Sequence, residues 1–227
     1  MKYLLIAVFL FATSCAQSSK QDLTTKKDSV SYSIGHSLGQ NIKAQNLDME
    51  IDILVKGLKD GIKGGSGLLT DEEMTKIIIA FQQEQHQKQK QKTDEEKKAN
   101  LEAGNKFLAE NKTKEGVIAL PSGLQYKVIK EGTGSKPKKT DKVKVNYMGT
   151  LIDGTEFDNS YKRGEPISFE LGSVIKGWTE GLQLMPVGSK YMFYIPANLA
   201  YGENRRSEII GPNACLIFEV ELLEIEK

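Results

Sequence analysis

The sequence predicts an α+β protein: a helical amino-terminal half, a long polar helix, and a carboxy-terminal half of antiparallel strands with one short helix. Three observations carry that expectation. Apolar residues recur at helical spacing between Asp28 and Gly67; none occurs from Gln83 to Lys98; and beyond Gly116 apolar and polar residues alternate with period two. The chain has 227 residues, with 31 Lys+Arg against 30 Asp+Glu. That balance argues against nucleic acid as a partner, because sequence-independent binding needs surplus cations to displace phosphate counterions.

The first segment reads as an address. Lys2 precedes an apolar run from Tyr3 to Ala12, too short for a bilayer span of about 20 residues, and small residues lead into Cys15. Residues 1–14 are expected to be a signal peptide. Phe11-Ala12-Thr13-Ser14-Cys15 resembles a bacterial lipobox, which makes Cys15 the acylation site; ordinary cleavage is the alternative. Residues 15–27 then form a lipidated tether, and the lipid is the only membrane contact expected.

Residues 28–69 carry two amphipathic stripes, Val30, Ile34, Leu38 and Ile42, then Ile51, Val55, Leu58 and Ile62. Forty residues cannot enclose a core alone, so a second copy of the chain is the simplest cover. The homodimer interface is expected within residues 28–82. Thr70-Asp71-Glu72-Glu73 forms a capping box that opens a helix over 70–112. A helix polar all round is a solvent-bridging stalk or is not stable. Disorder, or a break at the second capping pattern from Thr93 to Glu96, competes with a continuous stalk.

Residues 113–227 form the last domain. Leu124, Tyr126 and Val128 alternate with Gln125, Lys127 and Ile129, then Val143, Val145 and Tyr147 with Lys144, Asn146 and Met148, and Asp153-Gly154 marks a turn. Further strands are expected at Lys190 to Ile195 and Leu216 to Ile225, and one helix over Val174 to Leu184, ending before Pro186. From Gly116 onward there are 14 cationic and 14 anionic side chains, so the substrate should be apolar or uncharged. Cys215 lies in a strand-like stretch and reads as a small buried side chain.

Familiar catalytic constellations are missing. Both histidines, His36 and His86, precede the strand-rich half, and no phosphate-cradling glycine loop or metal-ligand cluster is present, so no cofactor is expected. What the domain does hold is a concentration of apolar and aromatic residues beside turns: Tyr147, Phe157, Val174, Ile175, Trp178, Tyr201, Ile210 and Phe218. Singly, each is ordinary core. Together with Asp158 and the Tyr201 hydroxyl they fit an apolar pocket with a few polar groups.

Gly149-Thr150-Leu151-Ile152-Asp153-Gly154-Thr155-Glu156-Phe157-Asp158-Asn159-Ser160 resembles the FKBP-type peptidyl-prolyl isomerase signature, as do Val174 to Leu182, Leu199-Ala200-Tyr201-Gly202 and Leu216 to Leu222. The helical half, with Tyr32-Ser33-Ile34-Gly35, is similar to the amino-terminal dimerisation region of the macrophage infectivity potentiator group of that family. The resemblance implies an antiparallel sheet wrapped around one short helix, and a homodimer carrying one isomerase domain per chain. Its pocket would be walled by Tyr147, Phe157, Ile167, Val174, Ile175, Ile210 and Phe218, with Trp178 as the floor. Asp158 and the Tyr201 hydroxyl would be polar contacts, and the Ile175 amide would bond a ligand carbonyl. Three departures stand out: Ile167 replaces a common aromatic, residues 203–208 are polar, and Gly211-Pro212 replaces Pro-Pro, which should free that turn.

The resemblance implies proline-containing unfolded or partly folded polypeptides as substrates, envelope proteins among them, and macrolide-type inhibitors as ligands. No covalent chemistry is needed: X-Pro rotation is limited by loss of amide resonance, a barrier of about 18–20 kcal/mol. A twisted amide has less charge separation, so a pocket that strips water favours it. Asp158 is expected to stay ionised and orient its neighbours. A dimeric chaperone with weak or no isomerase activity, or a ligand-binding scaffold, remains the alternative. The expected location is the bacterial cell envelope.

Overall fold

A computed structural model describes residues 23–64 and 67–226. The signal segment and Cys15 lie outside them. Three helices come first: α1 (Lys26–Ala44), α2 (Ile51–Lys63) and α3 (Asp71–Asn111). The chain divides into two compact units between Met74 and Thr75, inside α3.

In the amino-terminal unit, α1 starts two residues inside the stretch expected to be tether, because Thr25 caps it. The Thr25 hydroxyl accepts from the Asp28 amide at 3.1 Å and the Asp28 carboxylate accepts from the Thr25 amide at 2.9 Å. Neither α1 nor α2 buries a residue. Ile34, Leu58 and Ile62 are 67%, 61% and 79% exposed, so the apolar stripes have no cover among the described residues.

Thr70 and Glu73 cap α3 reciprocally, as their spacing predicts, with bonds of 3.2 and 2.8 Å. The polar run is helical throughout. At the second capping pattern the Thr93 hydroxyl donates back to the Gln89 carbonyl at 2.9 Å, so it joins the helix without ending it. The helix covers 41 residues, about 60 Å at 1.5 Å per residue.

The carboxy-terminal unit holds one antiparallel sheet: β1 (Val117–Ala119), β2 (Gln125–Lys130), β3 (Lys142–Leu151), β4 (Glu156–Asn159), β5 (Ile167–Glu170), β6 (Lys190–Ile195) and β7 (Leu216–Glu226). The strand order is β1-β2-β6-β7-β3-β4, and β5 pairs with β3. The short helices α4 (Ser160–Arg163) and α5 (Lys176–Leu182) fall between strands. Alternation along β3, β6 and β7 places Val143, Val145, Phe193, Ile195, Leu216, Val220 and Leu222 fully inside. Trp178 and Leu182 of α5 join the same core, so this helix fills the face that the alternation leaves apolar. Cys215 is 4% exposed, and burial pushes its thiol up to about 12, in keeping with an inert packing role.

Candidate active site

Tyr147 of β3 and Phe218 of β7 enter the site from the middle of the sheet, as their inward positions in the alternation require. Gly149 is paired with both Phe218 and Asp158. A Cβ at Gly149 would stand 2.5 Å from the Phe157 ring and 2.9 Å from that of Phe218; its absence lets the two rings meet edge to face at 5.4 Å. Trp178 rises from α5 against Tyr147 and Phe218. Its ring lies 5.1 Å from Tyr147 and 5.1 Å from Phe218, at 84° and 80°. Edge-to-face packing matches the positive edge of one ring to the negative face of another.

These rings form part of the lining of a cavity of about 740 Å³. Every predicted pocket residue lines it: Tyr147, Phe157, Asp158, Ile167, Val174, Ile175, Trp178, Tyr201, Ile210 and Phe218. Phe169, Ser173, Arg206 and Ser207 complete the lining and were not foreseen. Phe169 stands two residues beyond Ile167, on the same face of β5, and its ring is 5.3 Å from Trp178. An aromatic wall therefore stands beside Ile167. The alternation Ile167-Ser168-Phe169 was the signal for it.

Arg163 was also missed. Asn159 caps α4, its side chain accepting from the Tyr161 and Lys162 amides, and this turn brings Arg163 back onto Asp158. One oxygen of Asp158 accepts from Arg163 and the other from the Tyr147 hydroxyl, while Arg163 also donates to that hydroxyl at 3.1 Å. An Asp followed by an Asn cap and a cation was the readable clue. Burial, together with the bond to Asp158, raises the Tyr147 phenol above its ordinary value, so it remains a donor. The buried Ser160 hydroxyl accepts from the Tyr147 amide at 2.8 Å and fixes the backbone there.

The far wall is the connection from β6 to β7. Tyr201 follows a single turn at Ala197–Leu199, and the Arg206 guanidinium sits 5.4 Å from the centre of its ring. The turn at Gly211-Pro212 is not free as its sequence implied: the Asn100 side chain of α3 donates to the Pro212 carbonyl at 2.8 Å.

The family model for the FKBP-type peptidyl-prolyl cis-trans isomerase matches residues 133–223, and that for the domain amino terminal to it matches residues 27–128. The outer membrane protein MIP of Legionella longbeachae is 46% identical over 95% of this chain and 93% of its own. This chain belongs to the FKBP-type peptidyl-prolyl cis-trans isomerases. The Mip isomerase of Coxiella burnetii is 40% identical across 100% of the chain and 97% of its own. The crystal structure of FkpA from Escherichia coli superposes with a TM-score of 0.70 at 36% identity, covering 90% of this chain and 99% of that one. As a member of the FKBP family the protein is an isomerase of X-Pro peptide bonds, and its helical half, long helix and antiparallel sheet follow the family architecture.

Proposed function

We propose that the cavity over Trp178 receives the proline ring of an unfolded or partly folded polypeptide and accelerates rotation by desolvation. The observation that carries this reading is the set of rings packed edge to face around Trp178, in a site whose carboxylate already binds Tyr147 and Arg163. In the proposed roles, Trp178, Phe157 and Phe218 hold the ring, the Tyr201 hydroxyl and Ile175 amide meet flanking carbonyls, and Asp158 braces Tyr147. Ile167, Val174 and Ile210 exclude water. Macrolide-type inhibitors would compete for the same box. The test is a protease-free assay of cis-to-trans conversion in a proline peptide. Phe157→Ala is expected to lower kcat/KM by at least about tenfold, or 1.4 kcal/mol; an unchanged rate would remove the pocket from the mechanism.

The same reading assigns residues 28–69 to dimerisation, 70–112 to a stalk and 113–227 to catalysis, with the homodimer formed through residues 28–82. Uncovered stripes on α1 and α2 support it. Residues 1–14 act as a secretory signal and Cys15 as the lipid-anchored first residue of a tether to position 27. The lipobox supports an address in the bacterial envelope, where proline-containing envelope proteins would be clients.

A further inference from the structure

The wall formed by residues 203–213 is fastened to one turn of α3. On the arm entering the loop, Lys97 Nζ lies 3.1 Å from the Glu203 carboxylate, and Arg205 is paired with Glu96. On the arm leaving it, Asn100 Nδ2 donates to the Pro212 carbonyl at 2.8 Å, and Asn213 Nδ2 donates to the Lys97 carbonyl at 3.2 Å. Between the arms the loop folds on itself: the Arg206 amide donates to the Ile210 carbonyl at 3.0 Å and the Ile210 amide to the Ser207 hydroxyl at 3.0 Å. This compact tip carries Arg206, Ser207 and Ile210 into the pocket lining.

The fit between helix and loop is close. A Cβ at Gly211 would collide with the Glu96 carboxylate and stand 3.0 Å from the Asn100 amide. One turn further along α3, a Cβ at Gly104 would come within 3.0 Å of the Cys215 Cβ. Glycine within a helix costs about 1 kcal/mol relative to Ala, which here is offset by letting the helix lie against the start of β7. Glu96 and Asn100 are four apart and share a face, so a single helix turn reaches both arms. The Lys97 to Glu203 pair contributes little, since Glu203 is 75% exposed. Losing Asn100 would leave the partly buried Pro212 carbonyl without this donor.

We propose that Glu96 and Asn100 are positioning residues for the isomerase pocket: α3 splints the loop that carries Tyr201's neighbour Arg206, together with Ser207 and Ile210. Turnover, and selection of the residue next to proline, then depend on a helix turn that touches no substrate. This rests on the reading of the cavity as the proline site.

The experiment uses the full-length mature chain and proline tetrapeptides that differ in the residue before proline, with thermal unfolding measured in parallel. Asn100→Ala is expected to lower kcat/KM about three- to tenfold, as displaced binding walls do, and to change the ratio between bulky and small preceding residues while the unfolding midpoint moves by less than about 3 °C. Glu96→Arg is expected to act likewise, and Glu96→Arg combined with Arg205→Glu to recover activity to within about twofold of the parent. The proposal is overturned if both single variants keep parental rates and the parental peptide ranking. It is equally overturned if activity falls only in step with stability, or if the charge exchange restores nothing. Phe157→Ala separates the two levels: if that variant also retains full activity, the pocket assignment fails and the splint falls with it; if it is inactive while Asn100→Ala is unaffected, only the splint is wrong.

Discussion

At the scale of single residues, Asp158 has its oxygens committed to Tyr147 and Arg163, and Tyr147 is a phenol held above its ordinary value by burial and by that carboxylate. The raised Tyr147 phenol keeps its proton through the neutral range. Both histidines lie at positions 36 and 86, ahead of the sheet. The isomerisation rate should therefore be flat between about pH 6 and 9, since no proton transfer contributes to the transition state. A bell-shaped profile from the protease-free assay would show that a titrating group takes part. The upper limit has a defined sign: a phenol whose folded value is raised stabilises the fold fully below its unfolded value, near 10, and this stabilisation is lost as pH rises through the folded value. Tyr191, lifted to about 12 by burial and its bond to Glu131, follows the same rule. Loss of activity above about pH 10 would then reflect unfolding, and would be accompanied by a falling unfolding midpoint.

At the scale of elements, the uncovered stripes of α1 and α2 make a direct forecast. Ile34→Glu with Leu58→Glu should convert the proposed homodimer into monomers by light scattering, while activity toward a tetrapeptide stays within about twofold, because both positions lie outside the unit that holds the pocket. A dimer that survives both changes would place the interface elsewhere. Periodicity made α1, α2 and the strands β3, β6 and β7 legible in the sequence, because each repeats its pattern over enough residues to be distinguished. Strands β4 and β5 have four residues each, too few for an alternation to declare itself. The pocket residues with large side chains were readable from motif and order. Arg163 and Phe169 left only faint signals, a cap followed by a cation and a three-residue alternation, since their roles depend on a four-residue helix turning the chain back and on which face of a short strand is inward. The grip of α3 on residues 203–213 was the least visible: contacts such as Asn213 to Lys97 join positions more than one hundred residues apart, and no local pattern encodes them.

At the scale of the molecule, the near balance of 31 cationic and 30 anionic residues fits a protein that meets its substrate through an apolar box and not through a charged surface. Attachment to the envelope would rest on the amino-terminal address alone. Cys15→Ser should release the protein from the membrane fraction without changing its rate on peptides; continued membrane association would refute lipidation at that residue. The order of the sheet has one more effect. β7 is the last strand in the sequence, yet it lies between β6 and β3, pairing with β3 along its length and with β6 over Leu216 to Glu221. Its pairing with β3 closes a loop of some seventy residues, the kind of distant contact that makes folding slow. Until those eleven residues are synthesised the sheet lacks the strand that joins β6 to β3. A protein that hastens the folding of others would thus complete its own fold only after its final strand has been delivered.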